Sequence, residues 1–304
     1  MKLGLKVDVD TYRGTRRGVP RLLEALQRHR AGATFLFSLG PDHTGRAIKR
    51  VFRRGFMRKA TRTSVLRHYG IATLLYGTLL PGPDIGRRCA AVMREVRDQG
   101  FEVGIHCWDH VKWQDGVAAA DPAWIETQMN RACDRFAEIF AELPRAHGAA
   151  GWQMSRHAFR LTQRLGFDYA SDTRGWCPFI PMCEAEVIAC PQLPTTLPTL
   201  DELIGRDGCT ADNVHESVLA RSVDPPPSGH VFTLHAELEG MRLLPVLERL
   251  LEGWRGLGYE IVPLRALAAG LDPKALLHHT VLAAEIPGRS GTVAVQGPPF
   301  LGEG

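Results

Sequence analysis

Three groups of polar residues that could bind a metal or transfer protons stand at the ends of apolar stretches of the sequence. In chain order they are Asp8 with Asp10, His106 with His110, and His235. Two imidazoles four residues apart lie on one side of a helical turn, and with one carboxylate they form the ligand set of hydrolytic metal centres that keep open positions. Asp10 is the natural third ligand. Asp8 would share a strand face with Asp10, because side chains repeat every two residues in an extended chain, and could lie beside the attacking water.

Each group also has a structural explanation of its own. An H-x-x-x-H pair can be two surface or helix-capping histidines, a D-x-D sequence often caps a turn, and a single histidine such as His235 is often a hydrogen-bonded core residue. In parallel α/β folds, however, reactive groups collect at the carboxyl ends of strands. The position of all three groups at such ends favours one catalytic site.

Strands and helices alternate along the chain, which implies a mainly parallel sheet that is covered by helices and closed, or nearly closed, into a barrel. We expect one α/β barrel over residues 1–272, with an insert at about 43–83. A Gly- and Pro-rich tail at 273–304 would pack on the surface or stay loose. Hydrophobic periodicity and turn residues predict strands at 3–10, 33–37, 101–105, 146–149, 168–171, 187–190, 231–234 and 260–262.

The composition is that of a globular protein with a sizeable core, since 44% of the 304 residues are hydrophobic and 23% are charged. We expect neither a signal peptide nor a membrane-spanning segment, because no apolar run approaches the roughly 18 to 20 residues that cross a bilayer. The seven cysteines include no C-x-x-C pair. They therefore argue against a disulfide framework or a structural zinc knuckle and favour a reducing cytoplasm.

The motifs resemble those of a known family. Asp8-Val-Asp10, His106 to His110 and Phe232-Thr-Leu-His235 are similar to the first, second and fifth motifs of the polysaccharide deacetylase (NodB-homology, carbohydrate esterase 4) family. The resemblance implies a distorted β/α barrel. Further blocks resemble the members of that family that deformylate an undecaprenyl-phosphate-linked formamido sugar. These blocks are 4–23, 102–110, 149–152, 171–175, 193–199, 204–207 and 233–240.

The resemblance also implies roles for the five polar residues. It makes Asp10, His106 and His110 the ligands of one divalent metal, which could be zinc, cobalt, manganese or nickel. It makes Asp8 the general base and His235 the general acid.

The sequence departs from the family pattern at two motifs. The family's first motif usually has adjacent aspartates, whereas Val9 intervenes here, and the arginine of its third motif is absent from Ala149-Ala-Gly-Trp152. In the family this arginine orients the base, and Arg174 is the candidate that would replace it here. Asp172 would then orient a partner or bind substrate. Trp108 and Trp152 could line a sugar site, although large apolar residues near a site are more often packing residues.

The segment between Asp42 and Asp84 contains nine basic residues and no acidic one, although the net charge of the whole chain is only +4. Apolar residues interleave with these cations, as in segments that lie on anionic membranes, where each basic group contributes about 1 kcal/mol. A solvated helix face and a nucleic-acid patch are the alternatives, but no nucleic-acid module is visible. The residues predicted to contact membrane or lipid phosphate are Lys49, Arg50, Arg53, Arg54, Arg58 and Lys59.

Together, the residues and the resemblance predict a metal-dependent hydrolase that removes a formyl group from undecaprenyl-phosphate-linked 4-deoxy-4-formamido-L-arabinose, at the cytoplasmic face of the inner membrane. One alternative is an N-deacetylase of another acylated amino sugar or polysaccharide. Another is a membrane-binding module whose metal is structural, in which case a fourth protein ligand would close the site. The sequence does not predict the oligomeric state.

Overall fold

A computed structural model describes residues 1–47 and 71–300 of the chain. Strands and helices alternate in it as the sequence predicts. Its strands are β1 (Lys2–Val9), β2 (Thr34–Ser38), β3 (Glu102–Cys107), β4 (Ala146–His147), β5 (Tyr169–Ala170), β6 (Ile180–Cys183), β7 (Glu186–Val187), β8 (His230–His235), β9 (Glu260–Val262), β10 (His278–Glu285) and β11 (Thr292–Pro299). The α-helices in the described residues are α1 (Val19–Arg28), α2 (Ile71–Leu75), α3 (Ile85–Asp98), α4 (His110–Gly116), α5 (Pro122–Phe140), α6 (Arg156–Arg164), α7 (Leu200–Leu203), α8 (Val214–Ala220), α9 (Leu244–Gly256) and α10 (Leu264–Ala268).

Within the described residues, the main sheet is parallel and has seven strands in the order β5-β4-β3-β2-β1-β8, with β9 also paired to β1. Helices cover this curled sheet, so the chain folds as the expected distorted α/β barrel. Strand β1 is central, and every residue after Lys2 in it is buried. Its register places Asp8 opposite His235 of β8, so two of the predicted catalytic residues lie side by side at the carboxyl edge of the sheet.

The helices pack on the sheet through buried apolar residues. Asp84 and Asp121 cap α3 and α5, because their carboxylates accept hydrogen bonds from backbone N–H groups that have no partner within the helix. Met93 of α3 and Phe136 of α5 are both buried in the main hydrophobic core. Both helices begin directly after the aspartate that caps them, and α5 starts with a proline, which has no N–H group to leave unpaired in the first turn.

The C-terminal segment does not form the expected tail. Strands β10 and β11 form an antiparallel hairpin, and β10 also pairs in parallel with β6, so that a second sheet has the order β11-β10-β6-β7. The Gly and Pro residues that suggested a loose tail are concentrated in the turn at 286–291 and at the end of the hairpin, whereas the segments between them are β-forming. The hairpin therefore packs as part of the fold.

The insert leaves the barrel at the catalytic edge. It begins after β2, where Pro41 pairs with Asp84 across its two ends, and Arg46 donates to the carbonyl of Gly77. The six basic residues predicted to contact membrane or lipid phosphate lie outside the described residues. In the part of the chain that is described, no helix is long and apolar enough to cross a membrane.

Candidate metal and catalytic site

The ligand atoms of three predicted metal ligands meet at the carboxyl edge of the sheet. Asp10 Oδ1 lies 3.2 Å from His106 Nε2, and Asp10 Oδ2 lies 3.5 Å from His110 Nε2. One ligand atom from each residue lies within 4.8 Å of the other two. Among the described residues this is the only such group of three or more histidine, cysteine or acidic side chains. The spacing suits one cation held between a carboxylate and two imidazoles.

The main chain fixes the orientation of His106. This side chain is 1% exposed, and its Nδ1 donates a hydrogen bond to the carbonyl of Gly148 at 2.6 Å. Because Nδ1 carries the proton, the lone pair of Nε2 points toward Asp10 and is available to a metal. The loop that bears Gly148 is itself held by Asp172, whose Oδ1 accepts from the backbone N–H of Ala149 at 2.8 Å and from His147 Nδ1 at 2.7 Å.

His110 is positioned by the start of α4. The helix is capped by Asp109, whose second carboxylate oxygen lies 2.6 Å from His43 Nδ1 in the first residues of the insert. Burial and the neighbouring imidazoles lower the pKa of His110, although Asp10 opposes this effect. Burial raises the pKa of Asp10, but the imidazoles of His110 and His106 outweigh it and lower that pKa. A neutral imidazole beside an ionised carboxylate is the protonation state that metal binding requires.

Asp8 is paired with a buried lysine. Lys6 Nζ lies 3.5 Å from Asp8 Oδ2 and donates to the carbonyl of Ser171 at 2.9 Å. Lys6 is fully buried and Asp8 is 2% exposed. Asp8 Oδ1 has no hydrogen-bond partner in the described part of the chain, and the residue lines the same cleft as the three ligands. The lysine thus balances the charge of Asp8 while one oxygen remains able to accept a proton.

His235 faces this cleft from β8. Its Nδ1 lies 3.9 Å from Asp201 Oδ1 of α7, and its backbone N–H donates to Glu239 Oε2 at 2.8 Å. Burial lowers the pKa of His235, but the charges of Asp201, Asp10 and Glu239 outweigh that effect and raise the pKa to about 9. The side chain therefore carries a proton at neutral pH, as a general acid must.

Glu237 supports the turn that presents Asp10. Its Oε1 accepts hydrogen bonds from the backbone N–H groups of Asp10 and Thr11 at 3.1 and 2.8 Å, and from the Thr11 hydroxyl at 2.8 Å. Burial and the charge of Asp10 raise the pKa of Glu237 to about 8. Glu237 thus joins the ends of β1 and β8, the two strands that carry the aspartates and His235.

Four other predicted site residues lie behind the cleft or beside it. Asp172 is fully buried beneath the loop at 148–150 and supports it. Arg174 Nη1 binds Glu202 at 2.6 Å, so the cation beside Asp8 is Lys6 and not the expected Arg174. Trp152 is 1% exposed and packs beneath the cationic groups of Lys6, Arg174 and Arg289. The guanidinium of Arg135 lies 5.2 Å from the ring centroid of Trp108. Neither tryptophan is among the described residues that line the cleft.

Sequence reasoning missed three contributors. Lys6 precedes Asp8 and Asp10 at the same two-residue spacing, and this period was the signal that could have placed it on their face. Asp201 and Arg289 carried no comparable signal, because α7 and the hairpin turn that carry them are brought to the cleft only by the tertiary structure. The residues lining the cleft are Asp8, Asp10, His106, His110, Gln114, Gly151, Asp201, His235, Leu238 and Arg289.

Comparison with known proteins places the chain in a family. A family model described as polysaccharide deacetylase matches residues 7–170, more than half of the chain. The chain belongs to the polysaccharide deacetylase family. It is 38% identical over 295 residues to a protein of Shewanella sediminis (strain HAW-EB3) named probable 4-deoxy-4-formamido-L-arabinose-phosphoundecaprenol deformylase ArnD, covering 97% of this chain and 94% of the relative.

Solved structures of the family share the fold at low sequence identity. A protein of Mycobacterium smegmatis named putative polysaccharide deacetylase superposes with a TM-score of 0.62 at 15% identity, covering 94% of each chain. A family 4 acetyl xylan esterase from Clostridium thermocellum, solved with a cobalt ion, superposes with a TM-score of 0.53 at 15% identity and covers 91% of this chain and 97% of its own. These likenesses confirm the expected barrel.

The residues present fit a divalent metal ion. Asp10 Oδ1 is buried and has no hydrogen-bond partner among the described residues. His106 Nε2 is unprotonated and can bind a metal, because the ring proton lies on Nδ1, which donates to the carbonyl of Gly148. A carboxylate oxygen and two imidazole nitrogens are donors that zinc, cobalt, manganese and nickel all accept.

Proposed function

We propose that this protein is a metal-dependent deformylase that hydrolyses the formamide of undecaprenyl-phosphate-linked 4-deoxy-4-formamido-L-arabinose, giving the 4-amino sugar and formate. The observation that carries the proposal is the convergence of Asp8, His235 and the triad of Asp10, His106 and His110 in one cleft. The near full-length similarity to a protein named as such a deformylase supports the substrate. In that role the product serves lipid A modification and resistance to polymyxin and other cationic peptides.

An amide is a poor electrophile with a poor leaving group, so its hydrolysis needs an activated nucleophile and a proton for the nitrogen. A divalent cation held by Asp10, His106 and His110 would act as a Lewis acid toward the formyl oxygen and lower the pKa of water toward 7. Zinc, cobalt, manganese or nickel would each fit the donor set.

The two proton transfers belong to residues of the chain itself. Asp8 accepts the proton of the attacking water, and Lys6 keeps the carboxylate in place. His235, whose charge is favoured by Asp201, donates its proton to the nitrogen as the carbon–nitrogen bond breaks. Formate and the free amine leave, and the two groups then exchange their protons with solvent.

The site has the features of a catalytic centre rather than a structural one. A structural zinc site is closed by a fourth protein ligand, whereas the described residues supply three. The cleft beside the triad is lined by a general base and a general acid as well as the ligands. This geometry disfavours a membrane-binding module with a structural metal.

We also propose that the enzyme works peripherally at the cytoplasmic face of the inner membrane. The insert leaves the barrel at the catalytic edge, and its His43 contacts the cap of the helix that carries His110. At its other end, Leu79 and Leu80 are 81% and 43% exposed. Apolar side chains beside a strongly basic segment suit an anionic interface, to which a lipid-linked substrate is confined.

The test is formate release from the lipid-linked formamido sugar, compared with acetate release from the acetamido analogue. We expect formate release that a chelator abolishes and a divalent metal restores. A preference for the formyl substrate of up to about 200-fold is what the discrimination of one methyl group allows. Equal or faster release of acetate would favour the alternative N-deacetylase, and activity that survives complete removal of metal would refute the proposed chemistry.

A further inference from the structure

The C-terminal hairpin places an arginine in the catalytic cleft. Its turn packs directly on α7, since a Cβ at Gly288 would lie only 2.2 Å from the carbonyl oxygen of Glu202. The backbone of Gly288 has a φ of +89°, a conformation that favours glycine. The next residue, Arg289, lines the cleft with the two aspartates and the histidines. Its guanidinium lies 4.7 Å from the ring centroid of the buried Trp152. The arginine is therefore held against a rigid surface and is only 17% exposed.

The guanidinium of Arg289 is not hydrogen-bonded to Glu202, the carboxylate that lies beside it. Arg289 Nη1 is 3.6 Å from Glu202 Oε1, which is longer than a hydrogen bond. That oxygen already accepts from Arg174 at 2.6 Å, and Glu202 Oε2 accepts from the backbone N–H of Thr199 at 3.1 Å. The Glu202 carboxylate is thus satisfied without Arg289, whose side chain lines the cleft.

Arg289 is also the only lysine or arginine among the described residues that line the cleft. Asp201 also lines the cleft, and its carboxylate lies 3.9 Å from His235 Nδ1. Burial raises the pKa of Asp201, but the charges of His235 and Arg289 outweigh that effect and lower the pKa. A fixed cation that lines the same cleft as the metal ligands, and that forms no hydrogen bond with Glu202, is suited to an anion on the substrate. Guanidinium groups bind phosphate oxygens with two parallel hydrogen bonds.

We propose that Arg289 binds the phosphate ester of the substrate and so selects a phosphate-linked sugar. This inference rests on the proposed function. The formamide and the phosphate are carried by different carbons of one sugar ring, so a substrate with its formamide at the triad would present its phosphate to a wall of the same cleft. Binding there would orient the ring and would not assist bond cleavage, so Arg289 is a positioning residue.

The experiment compares three formamido sugars with wild-type, Arg289→Gln and Arg289→Lys proteins: the lipid-linked substrate, the water-soluble sugar phosphate, and the uncharged methyl glycoside. For Arg289→Gln we expect kcat/KM to fall about tenfold to a hundredfold for both phosphate esters, mainly through KM, and to stay unchanged for the methyl glycoside. Arg289→Lys should retain part of the preference, because a single ammonium keeps the charge without the planar fork.

Arg255→Gln is the matched control, since it removes one positive charge from the exposed end of α9, which leads into the amino edge of the sheet. It should change none of the three substrates. An equal loss of activity on all three in Arg289→Gln would mean that Arg289 only packs the hairpin, and an unchanged preference for phosphate would also overturn the proposal. If Arg289→Gln lowered only binding to anionic vesicles, Arg289 would contact a lipid headgroup instead of the substrate.

A binding measurement separates this inference from the proposed function. Calorimetric titration of inorganic phosphate into metal-free protein should show affinity in the wild type that Arg289→Gln lowers about tenfold or more. If phosphate binding depends on Arg289 but the metal-loaded protein releases no formate, the phosphate subsite is supported and the proposed reaction is refuted. If the metal-loaded protein releases formate but phosphate binding does not depend on Arg289, the proposed reaction is supported and the phosphate subsite is refuted.

Discussion

Replacement of Lys6 by methionine tests how the catalytic edge tolerates its buried charges. The ammonium lies 3.5 Å from Asp8 Oδ2, and the lysine is completely buried. At that separation and an effective dielectric constant of about 20, the attraction amounts to roughly 5 kcal/mol. Removal of one partner from a buried pair generally costs about 3–5 kcal/mol, because the other charge is left without compensation. We expect Lys6→Met to lower the free energy of unfolding by about 3–5 kcal/mol and to abolish formate release.

The assay is a double-mutant cycle with Asp8→Asn, measured by urea unfolding of the metal-free proteins so that no bound cation replaces the lysine. Lys6→Met also removes the hydrogen bond to the Ser171 carbonyl, but that loss occurs with either residue at position 8 and cancels in the cycle. We expect the double variant to be markedly more stable than the sum of the single effects predicts. A coupling free energy below about 0.5 kcal/mol, the limit of additivity for independent sites, would refute the pairing of these residues.

Four substitutions test the remaining assignments one by one. Asp8→Asn should retain the stoichiometric metal content of the wild type, measured by elemental analysis, while formate release is lost; loss of metal instead would mean that the two aspartates have exchanged roles. His106→Ala should remove the metal, and unchanged metal affinity would exclude that residue as a ligand. His235→Asn should keep the metal and lower kcat by about 100-fold to 10,000-fold, so a normal kcat would require another acid. Gly288→Ala should cost about 1–3 kcal/mol in thermal unfolding because of its positive φ and its contact with α7, and unaltered stability would show that the hairpin is not docked.

The sequence was sufficient to predict the barrel and the convergence of the five polar residues. Alternating elements imply a parallel sheet, and a parallel sheet brings the ends of distant strands to one edge. Asp8 and His235, 227 positions apart in the chain, are therefore register partners on adjacent strands. The catalytic roles of these residues remain predictions that the substitutions above test.

The wrong cation was predicted from the sequence as the neighbour of Asp8. Arg174 was expected there because the family's third motif lacks its arginine in this chain, and a nearby arginine was the obvious replacement. In the structure Arg174 is drawn to Glu202 instead. The charge that Asp8 requires comes from Lys6, on the same face of its own strand. A lysine inside a barrel strand contradicts simple hydrophobic patterning, and it is tolerated because a carboxylate and a carbonyl accept its ammonium.

The C-terminal hairpin could not be placed from the sequence for a different reason. Its composition is rich in Gly and Pro, and composition does not report where those residues fall relative to a turn. Their concentration in the turn allows the strands on either side to pair, and the docking of Gly288 then depends on the conformation of α7, which is distant in sequence. The consequence concerns function as well as fold, because α7 carries Asp201, which faces His235, and the hairpin carries Arg289. One tertiary contact thus places both Asp201, the partner of the proposed acid, and Arg289, which is proposed to bind the phosphate. A change that displaces the hairpin should therefore impair substrate recognition and proton transfer together, while the metal ligands Asp10, His106 and His110 stay in place.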